Sequence, residues 1–340
     1  MGSLVFIGFA VLVACLGYLI TPDPTPYAND QYLELGLKKP FFSVLMLPLK
    51  KNVKSGTSFF QTMIFGKKEQ LQQIPIRSYS ICNNHILYIE YGALPADAAM
   101  VKFLPLRDVE IPIKKTFWIG TDRFGRDYLS QLMIGTRVSL SVGMISVVIS
   151  LVIGIFVGAI GGYYRGWVDN LIVWLINVVW SIPTLLLVIA ITFALGKGFW
   201  QVFIAVGLTM WVEVARVVRG QILSIREKEY VEAARALGFS DFRIIFHHIL
   251  PNVMAAVIVI SAANFASAIL MEAGLSFLGL GVQPPVPSWG SMIKENYGYI
   301  VLDYAYLAIL PGVAIMLMVL AFMLIGNALR DALDVRMAEV

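Results

Sequence analysis

Charge is what this sequence has least of for its length. Only 14% of its 340 residues are Asp, Glu, Lys or Arg, 58% are apolar, and the mean hydropathy is +0.77. Soluble domains carry about a quarter of their residues as charges, so a water-soluble globule is excluded. Cysteine is limited to Cys15, in an apolar run, and Cys82, in a polar region. Two such residues make neither a disulfide framework nor a cysteine zinc cage. Histidine is limited to His85, His247 and His248. Neighbours on a helix point about 100° apart, and no carboxylate cluster at ligand spacing accompanies any of the three. No metal centre is therefore expected: His85 reads as a solvated turn residue and the adjacent pair as loop-positioning. The phosphate-cradling G-x-x-x-x-G-K-[ST], the nucleophile elbow G-x-S-x-G and the zinc motif H-E-x-x-H are absent, so the chain lacks the means to hydrolyse ATP and the two commonest hydrolase signatures.

Long uncharged or nearly uncharged runs take the place of those features, the fourth carrying Glu213 and Arg216 near its end. Six are of the length that crosses a bilayer as helix: Leu4–Ile20, Val138–Tyr163, Leu171–Leu195, Phe199–Val218, Val253–Met271 and Tyr304–Ile325. The fold class is thus all-α integral membrane protein with six transmembrane helices. Among the short connections, one side collects Arg165, Arg216, Arg219, Arg226, Lys228, Arg235, Arg243, Arg330 and Arg336, the other only Lys197 and Lys294. The positive-inside rule places the first set in the cytoplasm, with both termini, and residues 21–137 outside. The division expected is a first helix at 1–20, an extracytoplasmic segment at 21–137, a five-helix core at 138–329 and a cytoplasmic tail at 330–340. Leu12-Val13-Ala14-Cys15 resembles a lipoprotein cleavage box, but no Lys or Arg precedes it, so the reading is an uncleaved helix.

The outer segment is punctuated by prolines, which argues against long helices, and "IRSYSICNNHILYIEYG" alternates around Asn83-Asn84 as a β-hairpin does. Some β-structure is expected there. In the apolar runs, Gly135, Ser139 and Gly143, then Gly154, Gly158 and Gly162, recur at the four-residue spacing that lets helices approach closely, within one bundle or at a seam with a second chain. Asn177, Ser181, Asn264, Ser267 and Glu272 are costly in hydrocarbon and should face the interior, a partner or water. Asn264 and Glu272, eight residues apart, share a helix face. Pro183 should kink the third span. No halves repeat, against a secondary transporter. Ser141 and Ser181 lack an intramembrane His or Lys partner, against a membrane hydrolase.

One charged stretch interrupts the apolar runs, "YVEAARALGFSDFRIIFHHILPN" from Tyr230 to Asn252. Ser224 and Glu227 have capping-box spacing, which predicts a short helix to Leu237, stopped by Gly238 in the left-handed conformation. Tyr230, Ala233, Ala234 and Leu237 should line one side of it, with Glu229, Glu232 and Arg235 on another. A second short helix should begin near Ser240, carry Phe242, Ile245, Phe246 and Ile249, and turn into the fifth span at Leu250-Pro251. Two short helices tied to two spans make a rigid projection suited to transmitting force.

Here the chain resembles the permease subunits of ABC importers, whose EAA loop is matched by Glu232, Ala233, Ala234, Gly238, Leu250 and Pro251, with His248 where an Ile is usual. "IGTDRFGRDYLSQLMIGTRVSLSVG", "EAGLSFLGLGVQPPVPSWG" and "GNALRDALDVR" resemble the second permease of the peptide and nickel branch. The resemblance runs from Thr116 to Arg336, plus the first span and "TPDPTPY"; residues 30–115 have no counterpart in it. It implies a type I permease fold, with the EAA loop at 219–252. It implies a homologous second permease, two cytoplasmic ABC ATPases that carry ATP and Mg, an extracytoplasmic peptide-binding protein and surrounding lipid as partners. No cofactor on this chain and no nucleic acid are expected. Tyr230, Glu232, Ala233, Ala234, Arg235, Leu237 and Gly238 would form the ATPase-coupling interface, on a coupling helix from Ile225 to Leu237. Asn264, Glu272, Pro284, Pro285 and Trp289, with Pro287, are candidates for the pathway or a stiff gate. The substrate expected is an oligopeptide or dipeptide, in a bacterial cytoplasmic membrane, rather than nickel.

Overall fold

In the computed structural model, which describes residues 1–50, 58–67, 72–92, 101–196 and 198–333, the chain starts as an uninterrupted apolar helix, α1 (Gly2–Ile20). Prolines and short alternating runs then give strands: β1 (Phe42–Pro48), a short helix α2 (Phe59–Phe65), β2 (Gln73–Cys82), β3 (His85–Glu90), β4 (Lys102–Pro105) and β5 (Ile113–Phe117). They form one antiparallel sheet in the order β4-β3-β2-β1-β5. The hairpin expected at Asn83-Asn84 is present. Both asparagines take positive φ, 42° and 67°, and Cys82 pairs with His85, the two-residue turn whose twist suits a hairpin. His85 opens β3 in an exposed position.

The remaining chain is helical. α3 (Tyr128–Tyr164) has 37 residues and begins ten residues before the apolar run at Val138, because Asp127 caps it by accepting from the Ser130 N–H at 2.7 Å. The run at Leu171–Leu195 is not one helix. α4 (Gly166–Trp180) and α5 (Thr184–Leu195) meet at 90°, since Pro183 has no N–H to continue the ladder. α6 (Phe199–Ile225) is followed by α7 (Glu229–Ala236), the single turn α8 (Asp241–Arg243), a π-wound stretch Ile244–Ile249, α9 (Leu250–Phe277), α10 (Trp289–Asn296) and α11 (Tyr306–Leu333). Among the described residues five helical runs are long and apolar enough to cross a membrane, or six if α4 and α5 make one span. The tail expected at 330–340 is still helix to Leu333; residues 334–340, Arg336 among them, and Lys197 lie outside the described residues.

The small residues pack the bundle. A Cβ on Gly154 would lie 2.5 Å from Val214, on Gly158 2.5 Å from the Ala215 carbonyl, and on Gly162 2.9 Å from Ile222. α3 and α6 therefore touch backbone to backbone, within this one chain. Gly143 meets the Phe265 ring of α9, itself stacked on Phe322 of α11 at 3.9 Å. Asn177 and Ser181 are exposed on α4 and at the bend, so neither faces the interior of this chain. The stretch that leads into β1 is strapped to the loop before α3 and to α11: the Thr121 hydroxyl donates to Leu35 O at 2.5 Å, and the Tyr306 hydroxyl to Lys38 O at 3.1 Å.

Candidate functional site

The turn into α7 is built by charge, and not by the capping box expected of Ser224. Ser224 continues α6, Lys228 stands at the N-cap without a side-chain cap, and Glu227 pairs instead with Arg165 after α3. The neighbouring Arg226 guanidinium donates to the Tyr163 carbonyl, while the Tyr163 hydroxyl donates to Asp241 at 2.6 Å. Burial, reinforced by the nearby charges of Arg165 and Arg235, lowers the Arg226 pKa from its ordinary value. The ends of α3 and α6 and the start of α8 are thus cross-linked around one tyrosine.

α7 itself ends as a Schellman motif. The Gly238 N–H bonds Arg235 O at 3.0 Å and the Phe239 N–H bonds Ala234 O at 3.2 Å, with Gly238 at φ +76°. A residue with a Cβ is strained there. Val231 and Ala234 are buried in a cluster with Ile222, Ile244, Ile245 and Ile249. The face expected of Tyr230, Ala233, Ala234 and Leu237 therefore splits. Ala234 turns inward with Val231, which sequence reasoning passed over, while Tyr230, Ala233 and Leu237 are exposed, together with Glu232, Arg235 and Gly238. The second apolar set divides likewise, Ile245 and Ile249 in, Phe242 and Phe246 out with rings 4.4 Å apart. Leu250-Pro251 does not turn the chain. The reversal is at Gly238–Ser240, and Asp241–Phe277 runs as one helical stretch in which Pro251 follows directly on the π-wound turn Ile244–Ile249, a local change of winding that accompanies its missing N–H. His248 stacks flat on Phe239 at 5.8 Å, as a loop-positioning residue would.

Toward the other end of α9, Asn264 and Glu272 are both fully buried. Glu272 Oε1 accepts from Ser276 at 2.6 Å, and Ser276 lies 3.4 Å from Ser288. The second Glu272 oxygen and both polar atoms of Asn264 have no partner among the described residues. Ser288 caps α10 in a reciprocal pair with Ser291. Trp289 is buried against Gly135 and donates its indole N–H to Leu132 O at 3.1 Å, while Pro284 and Pro285 are at the exposed tip of the loop and Pro287 is buried. Glu272 and Trp289 are thus brought into one layer, and Pro284 lines a cleft with Ser276 and Ser291 beside it; Asn264 is more than two turns away on α9.

Sequence reasoning gave no role to the charges of "TDRFGRD". Arg126 donates to Asp122 at 2.6 Å and to Glu295 of α10 at 2.9 Å, and Gln131 donates to Asp122 at 3.2 Å. Oppositely charged residues four apart, just ahead of an apolar helix, were the available signal.

The family of binding-protein-dependent transport system inner membrane components matches residues 150–339. A dipeptide transport system permease protein of Alkalihalophilus pseudofirmus is 36% identical over 320 residues, 94% of this chain and 97% of the relative. A glutathione transport system permease protein of Pectobacterium atrosepticum is 41% identical over 217 residues, 64% of this chain and 72% of the relative. The first relative is aligned along nearly the full length of both chains, so residues 30–115 do have a counterpart. Among solved structures, an inward-facing methionine ABC transporter matches with a TM-score of 0.50 at 19% identity, over 59% of this chain and 96% of that one.

Proposed function

The chain belongs to the binding-protein-dependent transport system inner membrane components, as an ABC importer permease of the peptide and nickel branch, and from that premise we propose that it lines half of a translocation pathway for short peptides. The observation that carries the reading is the α7 projection. One side of it is wedged by Val231 and Ala234 into the ends of α6 and α9, and the other presents Tyr230, Ala233, Leu237, Phe242 and Phe246 to solvent. Large apolar side chains grouped in the open on a polar loop mark a docking surface. Its occupant is a cytoplasmic ATPase, which carries the ATP and Mg, and Glu232, Arg235 and Gly238 border the contact. The second half of the pathway is a homologous permease, and an extracytoplasmic peptide-binding protein delivers the substrate, with both termini of this chain in the cytoplasm. Asn264 and Glu272 supply polarity within α9, and the loop at Pro284, Pro285 and Trp289 serves as the gate.

The substrate class follows that of the two relatives, one a dipeptide and one a glutathione transport permease, both of them for peptides. A strain lacking this chain should lose growth on a required amino acid supplied only as a short peptide, while uptake of the free amino acid stays intact. If peptide-dependent growth persisted in a strain with no second peptide importer and nickel-dependent enzyme activity fell instead, the peptide reading would be wrong.

A further inference from the structure

Helix α2 buries none of its seven residues. Phe59, Phe60, Ile64 and Phe65 are all exposed, Phe60 at 69%, and at 100° per residue Phe59, Phe60, Met63 and Ile64 fall on one half of the helix. A solvated loop gains nothing from four such side chains, and a short helix is marginal unless something covers its apolar face.

The position of α2 relative to the membrane helices is fixed at three points. The Arg137 guanidinium, on α3, donates to the Met63 carbonyl at 3.2 Å and the Ile64 carbonyl at 3.0 Å, satisfying acceptors that a helix C-terminus leaves open. The Lys67 N–H bonds Pro24 O at 2.8 Å, just past α1. Gly66, at φ +76°, closes the helix against Tyr18 of α1, where a Cβ would meet the ring at 3.1 Å. Arg137 also lies 5.6 Å from the Tyr18 ring centroid.

These contacts set the depth. The 19 residues of α1 span about 28 Å, close to the roughly 30 Å of a bilayer's hydrocarbon core. Tyr18 is within the last turn of that helix, at the level where tyrosines and snorkelling arginines collect. A helix packed on Tyr18 and Arg137 is held at the same level, beside the exposed Leu16, Leu19 and Ile20 of α1. We infer that α2 is an interfacial helix whose apolar face rests in the lipid of the leaflet at the C-terminal end of α1, moored there between β1 and β2 so that the sheet is held down on the membrane surface. The inference rests on α1 and α3 crossing the membrane and is independent of what is transported.

The test is site-directed spin labelling on the assembled transporter in lipid nanodiscs, in a background with Cys15→Ser and Cys82→Ser. A nitroxide at Phe60→Cys should collide severalfold more with oxygen, which partitions into lipid, than with a water-soluble nickel chelate. At Asn84→Cys, in the hairpin turn, the order should reverse. Nickel-favoured collisions at position 60 would place the face in water, and low collision rates with both reagents would place it under protein; either overturns the inference. Ile64→Cys, on the same face, gives a second reading should the first variant fail to assemble.

Discussion

Replacing Gly238 by Asp separates the folding of the projection from its contact surface. The φ of +76° costs an L-residue about 1–2 kcal/mol, towards the lower end for Asp, which tolerates the left-handed region. Against total stabilities of about 5–15 kcal/mol that is survivable. Beyond its two chain neighbours, no atom of the described residues lies within 4 Å of the Cβ that would be added, so no clash adds to it, and the variant should accumulate to near wild-type levels. The new carboxylate, however, points out beside Leu237, 73% exposed, into whatever covers α7. Burying it there without a partner costs about 2–5 kcal/mol, or roughly 30-fold to several thousandfold in affinity. Gly238→Asn has a similar backbone cost with no charge and serves as the control. Purified transporter should show the Asp variant losing copurified ATPase and peptide-stimulated ATP hydrolysis, with the Asn variant largely retaining both. Normal peptide uptake by the Asp variant at normal abundance would refute the reasoning, as would equal defects in the two variants.

Arg126→Met strands Asp122 and Glu295 (side chains 2% and 21% exposed), and breaking such a pair costs about 3–5 kcal/mol. A clearly lower melting temperature in nanodiscs is expected, with only partial recovery in Arg126→Lys; an unchanged melt would show the network to be idle. Burial raises the pKa of Asp127 above its ordinary value, against the lowering effect of Ser130. A raised carboxyl disfavours folding in its ionised form, so the penalty is absent below the unfolded value of about 3.9 and grows as pH rises through the folded value. Asp127→Asn should therefore be at least as stable as wild type at neutral pH, with the gap closing on acidification, whereas Asp127→Ala loses about 1 kcal/mol of capping throughout. The reverse trend with pH would contradict the burial argument. A membrane-impermeant thiol reagent on spheroplasts should label Cys82, which is exposed, and not Ser240→Cys; labelling at 240 from outside would invert the topology.

What could be read in advance was whatever a single local cause decides. Unbroken apolar runs gave helices, Asn83-Asn84 a hairpin, Gly238 a helix stop, and Pro183 a break. Features decided by distant partners were misread. Ser224 has capping-box spacing, but α6 was already helical there and Glu227 was claimed by Arg165, 62 residues earlier in the chain. Ala233 and Ala234 are chemically identical in the sequence, and only the isoleucines of the π-wound stretch decide which of them is inside. The start of α3 was missed because Tyr128–Arg137 is polar enough to resemble loop, and its helicity depends on Asp127 and on packing against α10. The glycine spacing was ambiguous between one chain and two until Val214, Ala215 and Ile222 were seen to fill the gap.

At 1.5 Å per residue, the 37 residues of α3 measure about 55 Å, well over a bilayer's hydrocarbon thickness. One end is fastened to α10 through the Asp122–Arg126–Glu295 bridge, the other to α6 and α8 around Tyr163. A rod gripped at both ends is a lever. Tipping one end by about 10° carries the other through about 10 Å, from the helix length alone, and the glycine edge packed backbone to backbone on α6, with the Ser146 hydroxyl on Phe203 O at 3.1 Å, makes α6 travel with it.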